Sequence, residues 1–255
     1  MRGAPLGPIL GGERRACYKP PLPRVVRAPA VLLLIDPSFY VFLKVALAIT
    51  LLVISLGIHE AAHGWVALRC GDPTARDLGR ITLNPIAHID PFMTIFLPAV
   101  MYFTVGVAFG GAKPVPVNYY NLRHPLRDMA LVAIAGPLSN VLLAAFFFFC
   151  QKVLVDELAI WNANHFGSEV LSLALYSNLL LAAFNLLPIP PLDGSRVMTW
   201  LLPSGLREPY VRLESMGLLL VFLLWNLGPV KDMVDNTMRF LYRGISSVVS
   251  LGGLW

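Results

Sequence analysis

Residues 38–57, SFYVFLKVALAITLLVISLG, form an almost unbroken apolar run, and 58–70, IHEAAHGWVALRC, follow without a proline or turn signal until Gly71-Asp72-Pro73. About twenty residues of helix rise about 30 Å, the thickness of a bilayer's hydrocarbon core. The one charge in the run, Lys44, lies near its start, where a long side chain can reach the interface. The stretch therefore reads as a membrane-crossing helix. At its end it carries five residues of a different character, His59-Glu60-Ala61-Ala62-His63.

The rest of the chain agrees with a membrane setting. Of 255 residues, 56% are hydrophobic and only 14% charged, against about 25% charged in soluble domains. That balance argues against a disordered chain and against an ordinary soluble enzyme. Net charge is +5, which raises nucleic acid as a partner. No folded segment forms a basic stripe with interleaved aromatics, so no nucleic-acid binding is expected. Six cations (Arg2, Arg14, Arg15, Lys19, Arg24, Arg27) fall in residues 1–37, read as a flexible basic tail, and most others lie in short loops. That is how charge is distributed around membrane spans. The first 28 residues hold no apolar core of signal-peptide length, so no secretory signal is expected there. Cys17, Cys70 and Cys150 lack metal-ligand spacing and read as free thiols.

Further apolar runs cover 91–109, with Pro98 near the middle, 130–149 and 170–187, and a shorter one lies near 216–230. The alternating prolines of AKPVPVN, 112–118, keep that stretch extended. Near the end, Met238, Leu241, Tyr242, Ile245, Val248 and Val249 recur at helical spacing. This segment either lies in the membrane interface or packs on the bundle. The expected fold is an all-α polytopic membrane protein. It has about five to six transmembrane or re-entrant helices in one domain, 38–255, with a short extended or β segment near the active site. The 21 prolines are many for such a chain, and several fall where helices must stop.

Two histidines four apart lie on one face of a helix and can grip one zinc ion. Glu60, next to the first, can reach a zinc-bound water as a base without ligating. The bare pattern arises by chance in on the order of one chain per hundred of this length. Its position at the end of an apolar span adds weight, since an ionisable group at membrane depth costs at least a few kcal/mol. A catalytic zinc takes three protein ligands and keeps one open position. Asp193, in NLLPIPPLDG at 185–194, is the candidate third ligand. Taken alone, Asp193-Gly194 reads as a post-helix turn; joined to the two histidines, it reads as a ligand. His88, His124 and His165 read as loop or interface residues.

HEAAH at 59–63, AGPLSN at 135–140 and NLLPIPPLDG at 185–194 together resemble the site-2 proteases, intramembrane zinc metalloproteases of peptidase family M50. The chain is similar to the short branch without PDZ or CBS domains. The resemblance implies His59, His63 and Asp193 as ligands of one zinc per chain, with Glu60 as general base. It places Asn185 near the zinc as an oxyanion or substrate-binding candidate. Asn140 is a candidate for the same role, with helix packing an equal alternative. The segment from Phe109 to Asn118 would pair with substrate as an added strand. Substrates would be single-span membrane proteins, cut in regulated intramembrane proteolysis. The setting would be the lipid bilayer of a bacterial cytoplasmic membrane, with the active site toward the cytosol. No oligomeric state is indicated.

In that orientation the loops 69–80, 113–127 and 196–212 are inside with three cations each, and 152–169 is outside with Lys152 alone. The run 91–109 must then re-enter rather than cross. The basic tail follows the opposite orientation, so its side stays open. A transporter or metal-binding membrane protein using the same ionisable residues is the alternative class. It is disfavoured because no inverted repeat is visible.

Overall fold

The computed structural model describes residues 37–96, 100, 111–162, 165–226 and 228–251. The basic tail up to residue 36, Cys17, and most of the run 91–109 with Pro98 lie outside the described residues. Helix α1 spans Pro37–Arg69, α2 Pro125–Gln151, α3 Phe166–Asn185, α4 Asp193–Leu201, α5 Ser204–Arg212, α6 Gly217–Asn226 and α7 Pro229–Leu251. Among the described residues three helices are long and apolar enough to cross a membrane: α1, α2 with its continuation to Glu157, and α3. The segment after α1 is a single helical turn, Thr74–Asp77, followed by turns. No strand occurs among the described residues, and 111–118 is extended without a ladder partner.

Each long helix ends where its sequence supplies a stop or a cap. Helix α1 runs unbroken through the histidine pair, as the lack of breakers predicts. Helix α2 opens on Pro125, whose missing N–H costs nothing in a first turn. There the Asp128 carboxylate accepts the His124 backbone N–H at 2.8 Å. Helix α3 is capped by the His165 side chain, which accepts the Gly167 N–H at 3.1 Å, and stops ahead of Pro188.

The contacts between the helices give their directions. Near the end of α1, the Cys70 carbonyl accepts the Arg123 N–H at 3.1 Å, and His63 meets the Val132 carbonyl of α2. Near the start of α1, Tyr40 donates to Glu169 of α3 at 2.9 Å. So α1 runs antiparallel to α2 and parallel to α3. The end of α1, the start of α2 and the end of α3 share one end of the bundle. Buried alanines line the helix contacts, among them Ala67, Ala130, Ala133, Ala144, Ala174 and Ala182. Small side chains let helix backbones approach, which is how helices associate in lipid.

Helix α7 packs on the bundle along most of its apolar stripe, with Val248 of that stripe exposed. Val230 and Val234 join Ala183, Leu187, Ile189 and Leu192 in one core cluster. Ile245 joins Leu175, Leu179 and Ala144 in another, with Leu241, Tyr242 and Val249 against it.

Candidate metal centre

The site begins with α1. One face carries Ser55, His59 and His63 at four-residue intervals, all three buried. The two imidazoles turn their Nε2 atoms toward each other, 3.0 Å apart. Each ring is fixed from behind at Nδ1. His59 Nδ1 lies 3.0 Å from Asn140 Oδ1, and His63 Nδ1 lies 2.7 Å from the Val132 carbonyl. Both partners accept hydrogen bonds, so both rings carry their proton on Nδ1 and present a lone pair at Nε2. Metal-binding histidines are held this way, with an acceptor behind the ring setting the tautomer.

Asp193 comes from the other side. Helix α3 stops at Asn185, the prolines turn the chain, and Asp193 opens α4. It is thus the first residue of a helix, where Asp193-Gly194 taken alone read as a post-helix turn. Its Oδ2 lies 3.1 Å from His59 Nε2 and 3.3 Å from His63 Nε2. Gly194 permits this placement. A Cβ there would collide with the carbonyls of Leu186 and Leu187, so only glycine lets α4 begin against the end of α3.

The three ligand-type atoms form a group that could hold a metal ion. Three observations fit zinc. The separations of 3.0, 3.1 and 3.3 Å match the roughly 3.3 Å between neighbouring ligands of a tetrahedral zinc with bonds of about 2.0 Å. Asp193 Oδ2 is buried without a hydrogen-bond donor, so this lone pair too awaits a cation. And Gly136 of α2 faces the pair: a Cβ there would land on Nε2 of both histidines. The glycine keeps open the space those nitrogens surround.

Glu60 points elsewhere on α1. Its Oε2 accepts the backbone N–H of Val115 at 2.8 Å. Asn140 is fully buried and acts on the site through His59. Asn185 is not brought onto the ligand atoms in the same way; its Nδ2 donates to the Leu181 carbonyl on its own helix at 3.0 Å. One turn from His59, Ser55 accepts from Asn178 at 3.0 Å and ties α3 to the same face of α1.

Two features differ from the sequence reading or escape it. His88, read as a loop or interface residue, ends a short 3-10 turn, Pro85–His88, and is 2% exposed, with Nε2 2.9 Å from the Thr82 carbonyl. Asp72 has no accessible surface. It gathers the N–H and hydroxyl of Thr74, the Asn118 N–H and the Asn121 amide, fastening the 111–121 segment to the end of α1. Asp72 sits in a Gly-Asp-Pro turn, where only the general habit of Asp to bond turn amides gave a signal.

Residues 47–225 match the family model described as Peptidase family M50. YwhC of Bacillus subtilis, provisionally named a zinc metalloprotease, is 39% identical over 204 residues, covering 78% of this chain and 88% of that protein. Rip2 of Mycolicibacterium smegmatis, named in the same terms, is 29% identical over 207 residues, covering 79% and 76%. MJ0611 of Methanocaldococcus jannaschii is 30% identical over 128 residues, covering 49% and 62%. No solved structure matches the chain.

Proposed function

The chain belongs to peptidase family M50, and on that premise we propose that it is a zinc-dependent endopeptidase cutting peptide bonds in or near transmembrane segments. One observation carries the reading. Two imidazoles from a helix long and apolar enough to span a bilayer converge with the Asp193 carboxylate, and Glu60 follows the first of them in sequence. His59, His63 and Asp193 would hold the ion and leave a position open for water. When bound, zinc lowers the pKa of its water toward about 7 and polarises a peptide carbonyl.

Glu60 takes the proton of the attacking water and returns it to the leaving amine. Asn140 and the Val132 carbonyl keep the imidazoles aimed throughout. Asn185 is a candidate for steadying the oxyanion, which requires its amide to leave Leu181. A transmembrane substrate hides its carbonyls in i to i−4 bonds, so it must unwind to be cut. Single-span proteins with Gly or Pro near the cleavage point should therefore be preferred.

The three cation-bearing loops support a cytosolic position for the site end under the positive-inside rule. A bacterial cytoplasmic membrane, a single-span partner protein and a role in regulated proteolysis follow from the family resemblance. Protease accessibility of a tag on each terminus tests the orientation.

Glu60→Gln tests the activity. The variant should keep one zinc per chain and lose at least about a thousandfold in cleavage of a co-expressed single-span substrate. Retained cleavage would sink the mechanism. Substrate flux that is indifferent to Glu60 would instead favour a transporter.

A further inference from the structure

We infer that the main-chain amide of Val115 is a positioning group for Glu60: it fixes one carboxylate oxygen and leaves the other free to work on the attacking water. The inference rests on the protease reading above and deepens it.

The segment around Val115 is built to present a single donor. Pro114 and Pro116 flank it and have no N–H, so among residues 114–116 only Val115 can donate. That one N–H meets Glu60 Oε2 at 2.8 Å. Three anchors hold the donor in place. Upstream, the Lys113 N–H donates to the His88 carbonyl at 2.8 Å, and Arg80 Nη2 donates to the Lys113 carbonyl at 2.8 Å. Downstream, the Asn118 N–H donates to Asp72 at 2.6 Å. Beneath, the buried Val115 side chain occupies the space beside Gly64; a Cβ on Gly64 would come within 3.3 Å of it. Gly64 follows the second histidine directly. The segment is therefore seated on the same turn of α1 that carries the ligands.

A glutamate side chain has several staggered conformers open to it on a helix surface. One hydrogen bond from a clamped backbone selects among them. The selection matters because a misplacement of about 1 Å can cost on the order of a hundredfold in rate. This also gives His88 and Arg80 a purpose: they anchor the segment and need not touch substrate.

The first test needs no activity. In amide hydrogen exchange on the purified full chain, Pro114 and Pro116 contribute no amide, so deuterium uptake at 114–116 reports Val115 alone. Glu60→Ala should raise exchange there at least about tenfold, leaving Lys113 and Asn118 unchanged. Unchanged Val115 exchange overturns the inference. The second test is kinetic, with a single-span substrate co-reconstituted in vesicles. Val115→Pro removes the donor and should lower kcat about 10- to 100-fold, with KM and zinc content within about twofold. Val115→Ala keeps the donor and should retain most activity. Equal losses from Pro and Ala, or loss of zinc from Val115→Pro, would show a packing role only and overturn the inference. A wild type that cleaves nothing defeats the protease reading itself, whatever exchange shows.

Discussion

The two ends of the three-helix bundle use similar side chains under different conditions. At the start of α1, Lys44 pairs with Glu169 at 2.6 Å with side chains 39% and 31% exposed, and Tyr40 donates to the same carboxylate. At the other end, His59 and His63 are 4% and 8% exposed, and besides each other they face Asn140 and the Val132 carbonyl of α2 and Asp193 of α4. The first group is partly exposed, and where Lys44 reaches the interface water can replace a partner. In the second it cannot, because an unsatisfied polar group in a dry interior costs several kcal/mol. Burial, more than residue type, separates a fastening from a reactive centre here.

That contrast predicts the largest effect at a residue with no side chain. Gly136→Val should abolish zinc binding, since even its Cβ would fall on both Nε2 atoms. Zinc content of the purified protein should drop from one per chain to background. Gly244, with open space around it, should accept alanine with zinc content unchanged. A Gly136→Val protein that still holds zinc would break the comparison, because the site would then be as compliant as the far end.

The next effect in size belongs to Asn140. Asn140→Leu keeps the volume but removes the acceptor behind His59. Zinc affinity should weaken about 10- to 100-fold, the usual cost of losing an outer-shell partner. Asn185→Leu should change zinc affinity much less, because its amide bonds to its own helix. Competition with a chelator of known affinity measures both. Equal losses would move Asn185 into direct support of the metal.

These two residues show how far the sequence could be read. The histidine pair and Asp193 were legible because metal ligation demands particular side chains, and helical spacing or proline stops say where they go. Helices long and apolar enough to cross a membrane were legible as α1, α2 and α3, where long apolar runs carry the signal alone. Much of the support was not. The Val132 carbonyl and the Val115 amide are backbone groups, which any residue type would provide. Gly136 sits in a helical run, where a glycine hints at close approach without naming the neighbour. Asn140 was open between site and packing because its identity fits either, and only the approach of α2 to His59 assigns it. His88 looked like a loop or interface residue because nothing in its local sequence says that its ring meets the Thr82 carbonyl or that its own carbonyl takes the Lys113 N–H.

Asp72 lies beside the site end and adds a dependence on pH. Burial pushes its carboxyl up, but bonds from Thr74 and Asn121 and from the Asn118 and Thr74 amides outweigh that and hold it below its usual range. Its stabilising contribution is therefore complete above the unfolded value of about 3.9 and is lost as pH falls through the lower folded value. Melting temperature should fall on acidification below about pH 4, and Asp72→Asn should flatten that limb. At neutral pH the same variant should cost about 1–3 kcal/mol, since buried donors lose a charged acceptor. An acid limb identical in the two proteins would place the loss in other carboxylates.

The smallest effect should come from the far end, and it is the control on which the comparison depends. Lys44 and Glu169 make a short ion pair that joins α1 to α3, a pairing that looks as strong on distance alone as anything at the metal centre. Both groups are substantially exposed, so water and salt screen the attraction and both side chains lose freedom in forming it. Lys44→Ala should therefore shift the melting temperature by no more than about 2 °C and leave zinc content and cleavage unchanged. Glu169→Gln should do slightly more, because it also weakens the bond from Tyr40. High salt should reproduce most of the Lys44→Ala shift in the wild type and add little in the variant. A large loss of stability or zinc from Lys44→Ala would mean that the α1–α3 pairing at this end sets the register of His59 against Asp193, some fifteen residues along α1, and the two ends could no longer be treated as independent.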